Sequence, residues 1–165
     1  MSNDAPSPSP AQSPEDSLVT ATREIAAPAE TIFELIADPA QQPRWDGNDN
    51  LAEAAPGQRA RADGDVFVMT LTNGGVRENH VVAFVEGREI VWAPAPEGEA
   101  PSGHRWGWIL EPLDDDRTRV THLYDYSALP AEQEKRLAKA RQMTPAKLRA
   151  SIDRLATLAE EGGDS

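Results

Sequence analysis

The residues best suited to moving a proton or orienting a polar ligand group are three histidines, His80, His104 and His122, and two tyrosines, Tyr124 and Tyr126. Val120, His122, Tyr124 and Tyr126 alternate with Arg119, Thr121, Leu123 and Asp125, so a strand here puts the first set on one face. If that face lines an apolar cavity, His122 and Tyr124 are the candidate acid and base. The alternative is a pair of structural side chains with satisfied hydrogen bonds. The histidines fall on three separate predicted strands without clustered spacing, which gives no support to a metal site. With no cysteine, the chain has no disulfide, thiolate ligand or cysteine nucleophile. Asp46-Gly47-Asn48-Asp49-Asn50 has the composition of a calcium loop, but Leu51 and Gly57 stand where that loop needs its glycine and its final glutamate. A turn with Asx side chains bonded to local backbone explains the segment better. Phosphate-binding glycine motifs and a Gly-x-Ser-x-Gly nucleophile elbow are absent, and neither a metal nor a cofactor is expected.

The aromatic residues suggest a binding surface. Trp106 and Trp108 share one strand face, Trp92 and Phe67 lie on other predicted strands, and Trp45 ends a helical turn. Rings of this kind wall pockets for planar apolar ligands, although they also fill ordinary sheet cores. Arg23, Arg77, Arg105 and Arg119 are strand arginines, one of which can pair a ligand carboxylate inside a cavity. More commonly such arginines are solvated or paired on the outer face.

These side chains need a scaffold, and its elements are legible in the periodicity. Residues 1–17 are Pro- and Ser-rich and acidic, and read as a disordered tail. A strand is expected over 18–25, with Val19, Ala21, Arg23 and Ile25 on one face, followed by a helix from Ala27 that Asp38-Pro39 ends, and a helical turn over 40–45. Strands follow at 50–60, 65–72, 76–86, 88–93, 104–113 and 117–126, broken by Asn73-Gly74 (read as a type I′ hairpin turn), Glu86-Gly87, the stretch 94–103 and Asp114-Asp115-Asp116. A charged helix over 131–142 precedes Thr144-Pro145, which opens a last helix whose apolar line is Leu148, Ile152, Leu155 and Ala159. Strands closed by a helix favour an α+β fold with a seven-stranded antiparallel meander.

The run Ile25 to Phe33, Asp38-Pro39 with Arg44-Trp45-Asp46-Gly47, Gly103 to Trp108, Thr118 to Thr121 and Thr144-Pro145 occur in an order that resembles the START-like superfamily. That group contains polyketide cyclases/dehydratases and lipid-transfer domains, and the resemblance spans roughly residues 18–160. It implies a helix-grip fold: a curved seven-stranded antiparallel sheet, two short helices at one end, and a long C-terminal helix across the concave face. It also implies a cavity between sheet and helix. The expected domains are the tail 1–17, a ligand-binding domain 18–160 and a flexible end 161–165. The expected ligand contacts are Trp45, Phe67, Trp92, Trp106, Trp108, His122, Tyr124, Leu148, Ile152 and Leu155.

Charge bounds the partners. With 28 acidic and 16 basic residues the net charge is −12, which disfavours nucleic acid and anionic membrane surfaces, and there is no apolar run long enough to span a bilayer. The expectation is a cytoplasmic monomer or homodimer that binds a hydrophobic small molecule such as a polyketide, lipid or sterol-like compound. A cyclase or dehydratase using His122 or Tyr124 is the first alternative, and an interaction domain without a ligand the second.

Overall fold

The computed structural model describes residues 17–162. Its strands are β1 (Leu18–Ile25), β2 (Leu51–Glu53), β3 (Val66–Leu71), β4 (Val76–Val85), β5 (Glu89–Pro96), β6 (Arg105–Asp114) and β7 (Arg117–Asp125). The helices are α1 (Ala29–Ala37), α2 (Gln42–Trp45), entered through a 3-10 turn at Pro39–Gln41, α3 (Glu134–Ala140) and α4 (Pro145–Gly162). All seven strands form one antiparallel sheet in the order β1-β7-β6-β5-β4-β3-β2. The chain therefore runs as a meander from β2 to β7, while β1 closes onto β7 with Ala21 opposite His122. Tight turns join β3 to β4, β4 to β5 and β6 to β7, while longer loops carry the chain from β2 to β3 and from β5 to β6.

Alternation sorts the sheet into two faces. On β7, Thr118, Val120, His122 and Tyr124 are buried, and the residues between them are not. α4 lies across that face against β1, β7, α1 and α2. Its stripe enters two clusters: Ile152, Leu155, Ala156 and Ala159 join Ile25, Ile32, Phe33, Trp45, Trp108 and Val120, whereas Leu148 joins Tyr124, Tyr126, Leu129, Leu137 and Ala140. The α+β helix-grip architecture is thus the one observed.

Several local expectations change. The strand over 50–60 shrinks to Leu51–Glu53, because other partners take the backbone of the following residues. Ala60 N donates to Ala37 O at 2.9 Å, and the Asp65 carboxylate accepts from Arg61 N and Ala62 N. The Asn73-Gly74 turn is not type I′, since that form needs a positive φ at both residues and only Gly74 has one. Leu71 N donates to Gly75 O and Gly74 N to Leu71 O, making a three-residue loop with glycine at the left-handed position. The 94–103 break begins later, since β5 continues to Pro96. The charged helix is shorter, at Glu134–Ala140, and α4 continues to Gly162. Most of the tail lies outside the described residues, but Ser17 is buried and its carbonyl accepts from Tyr126 N, so it belongs with the sheet. No helix among the described residues is long and apolar enough to cross a membrane.

Candidate functional site

A cavity of about 530 Å³ opens between the two clusters. Its apolar lining comes from β3 (Met69, Leu71), β5 (Trp92), β6 (Trp106), the end of α2 (Trp45) and the segment around α3 (Leu129, Ala140, Met143). His122 and Tyr124 line it from β7, and His104 from just before β6. The pleat explains this convergence: Trp106 pairs with Tyr124 and Trp108 with His122, so alternate residues of two adjacent strands share the face.

His122 is fully enclosed. Its ring stacks on Trp108 at 3.7 Å and 12° and lies near-parallel to Trp106 at 5.8 Å and 20°. Nδ1 is 2.8 Å from Gly107 O, and since a carbonyl only accepts, Nδ1 carries the hydrogen and Nε2 is left as the acceptor. A side chain at position 107 would crowd Leu123 and Val91, so glycine lets β5, β6 and β7 close up there. Burial holds the His122 pKa down at about 4. Tyr124 packs against Trp106 at 4.4 Å, and burial, reinforced by Tyr126, pushes its hydroxyl up to about 12. At neutral pH both groups are uncharged.

The Trp45 end of the cavity is held from behind. Trp45 Nε1 donates to Leu35 O at 2.8 Å, and its ring meets Trp108 edge-on at 5.1 Å. In the next turn the buried Asp46 carboxylate accepts from Asn48 N and Asn50 N, the Asx arrangement anticipated for this segment. Burial raises the Asp46 pKa. α4 clamps the same turn: Gly47 N donates to Ser151 Oγ at 2.9 Å, and Arg154 reaches Asp46 O and Asp49 Oδ1, each at 2.8 Å.

Of the ten expected ligand contacts, Trp45, Trp92, Trp106, His122 and Tyr124 meet around the cavity. The other five pack behind its walls. Phe67 sits edge-on to Trp92 at 5.4 Å, Trp108 is sealed between His122 and Trp45, and Leu148, Ile152 and Leu155 are buried in the two clusters. The side of the cavity assigned to the α4 stripe is instead formed by Arg136, Lys139 and Ala140 of α3, the connection Gln142 and Met143, and Lys147 of α4. Sequence reasoning passed over these residues because a charged amphipathic segment reads as solvated. The strand arginines separate: Arg23 pairs with Asp153 at 2.8 Å, Arg119 with Glu111 at 2.9 Å, Arg105 is exposed, and only Arg77 lines the cavity. His80 leaves β4 on the face opposite Asn79, away from the other two histidines. No group of three potential metal ligands occurs among the described residues. A larger cleft between α1 and the end of α4 is open and carries Glu30, Glu34, Asp38 and Glu161, so it does not enclose a ligand.

A meander sheet gripped by a C-terminal helix over an aromatic cavity defines the START-like class. Residues 17–160 match the model of the polyketide cyclase / dehydrase and lipid transport family, and the chain belongs to that family. An uncharacterized protein of Mycobacterium tuberculosis is 31% identical over 115 residues, covering 68% of this chain and 49% of its own length. The chain thus spans about half the length of the curated relatives it matches. Among solved structures, a START superfamily protein from Mycobacterium smegmatis superimposes with a TM-score of 0.59 at 21% identity, over 87% of this chain and 97% of that one. A point mutant of norcoclaurine synthase from Thalictrum, in complex with a transition-state analogue, gives a TM-score of 0.60 at 15% identity, over 88% and 94% of the two chains. At these identities the structural likeness speaks to the fold.

Proposed function

We propose that this chain binds a largely apolar, ring-containing small molecule in the cavity between the sheet and the α3–α4 segment. The observation that carries this reading is the enclosure itself: about 530 Å³ walled by Trp45, Trp92, Trp106 and Tyr124. Flat, stiff aromatic walls provide contact area at little cost in rotamer entropy. Membership of a family described by lipid transport as well as cyclase chemistry agrees with it.

The cyclase or dehydratase alternative draws on His122 and Tyr124, which are two residues apart in the cavity wall. Their acidities argue against it. A general base or acid works best with a pKa near the working pH, whereas His122 lies at about 4 and Tyr124 at about 12. Burial thus weakens His122 as a base and Tyr124 as an acid, and binding, which needs only the cavity, is the preferred reading.

The test is a thermal-shift and native mass spectrometry screen of aromatic polyketides, sterols and fatty acids. A ligand present at a hundred times its Kd adds about 2.7 kcal/mol of stability, so binders raise Tm by several degrees. A broad panel with neither bound mass nor shift would overturn the reading.

A further inference from the structure

The charged groups of the cavity are one-sided. Arg77 from β4, Arg136 and Lys139 from α3 and Lys147 from α4 line it, together with a single carboxylate, Asp46. This reverses the balance of a chain with net charge −12. Among the described residues none of these four cations pairs with a carboxylate. Arg136 Nη1 donates instead to Ser102 Oγ at 2.8 Å and Gln133 Oε1 at 3.1 Å, and Arg77 Nη1 reaches only Val76 O at 3.4 Å. Among the described residues Asp46 forms no ion pair with any of them, its oxygens accepting instead from the backbone of its own turn.

The cations also converge. Arg136, Arg77 and Lys139 lie close enough to His104 for their charges to assist burial in keeping that imidazole neutral, with a pKa of about 4. Beside Arg77 on the same strand face, Asn79 is only 5% exposed and lines the cavity, and among the described residues no hydrogen bond ties its amide. Buried amides normally have partners. A site whose cations have no carboxylate partner, Arg77 half-buried and Arg136, Lys139 and Lys147 exposed at the rim, with an open amide donor above aromatic walls, suits one kind of guest.

Given that the cavity is the ligand site, we infer that its ligand is an amphipathic anion. The apolar body lies against Trp45, Trp92 and Trp106, and a compact oxyanion such as a carboxylate, sulfonate or phosphate is held by Arg77, Arg136 and Lys139.

Two fluorescent dyes with the same ring system separate the charge from the apolar body: 1-anilinonaphthalene-8-sulfonate and its neutral counterpart N-phenyl-1-naphthylamine. The wild-type chain is expected to bind the sulfonate at least tenfold more tightly. The double variant Arg77→Gln/Arg136→Gln should lose at least tenfold for the sulfonate and stay within twofold for the neutral dye. Lys139→Gln, at an exposed helix position, should give a smaller loss of the same kind, which keeps the test available if the double variant folds poorly. Arg117→Gln, at the exposed start of β7, should change neither dye. Equal affinity for both dyes, unchanged by the double variant, overturns the anion assignment and leaves the cavity reading intact. An equal loss in Arg117→Gln also overturns the assignment, because it reports dye held by surface charge. Binding of neither dye overturns the anion assignment, and the cavity reading is then decided by the broad ligand panel.

Discussion

Trp106 and Trp108 are two residues apart on one strand face, yet they have different surroundings and different consequences. Trp108 is wholly buried, stacked on His122 and edge-on to Trp45, and among the described residues its Nε1 has no hydrogen-bond partner. An unsatisfied buried donor costs about 1–3 kcal/mol, and the ring stays because its packing outweighs that. Trp106 is half-buried and borders the cavity. Trp108→Ala is therefore expected to destabilise the fold by about 3–5 kcal/mol, the usual loss for a large buried ring. Trp106→Ala should cost less stability and weaken ligand binding more. Urea unfolding of both variants, alongside affinity for any screened binder, checks the split; equal stability losses would contradict it. The sequence placed both indoles on one face correctly. It could not show that Trp45 would arrive from a distant turn and cover only the second.

Elements decide where the cavity closes. Thr144 caps α4, its Oγ1 accepting from Lys147 N at 3.2 Å, and thereby sets the break after α3. Removing such a cap costs about 1 kcal/mol, so Thr144→Ala should lower the unfolding free energy by about that amount in a urea titration. No measurable loss would mean that packing alone sets the helix start. The Thr-Pro signal made this boundary readable. The shortening of the 50–60 strand was not readable, because its cause is non-local. Arg59 bridges Glu34 of α1 at 2.9 Å and Glu86 of the β4–β5 turn at 2.7 Å, and Ala60 bonds to the end of α1. These contacts pull the segment off the sheet edge. The charged face of α3 was equally ambiguous, since a basic helix face looks the same whether it meets solvent or the mouth of a cavity.

At the scale of the molecule, the buried imidazoles couple stability to pH. His122 titrates at about 4 in the folded chain, against roughly 6.5 when unfolded. As pH falls below 6.5 the unfolded chain takes up the proton first, so stability is unaffected above that pH and is lost between there and about 4. For His122 the full loss is on the order of 3 kcal/mol. His104, also held at about 4, chiefly by burial, acts in the same direction. Asp46, whose pKa burial raises, acts oppositely above its ordinary carboxyl range and offsets part of the loss. Tm should therefore be level above pH 6.5 and fall toward pH 4.5, with a shallower fall in His122→Phe. A wild-type profile that stays level through that range would contradict the buried, neutral assignment.

The sequence by itself determined the α+β class, the meander, the α1 and α4 helices and the alternation that brings His122, Tyr124, Trp106 and Trp108 to one face. These features depend on residues near one another in the chain, and periods of two and 3.6 are visible without coordinates. Only the tertiary structure decided which of those residues meet empty space and which meet one another. Phe67 and Trp108 are sealed by rings from other elements, Leu148, Ile152 and Leu155 are used up as core, and Arg77 comes to line one cavity with Arg136 and Lys139 of α3. Each of those outcomes depends on contacts between residues far apart in the chain, which the pattern of one strand or one helix does not contain.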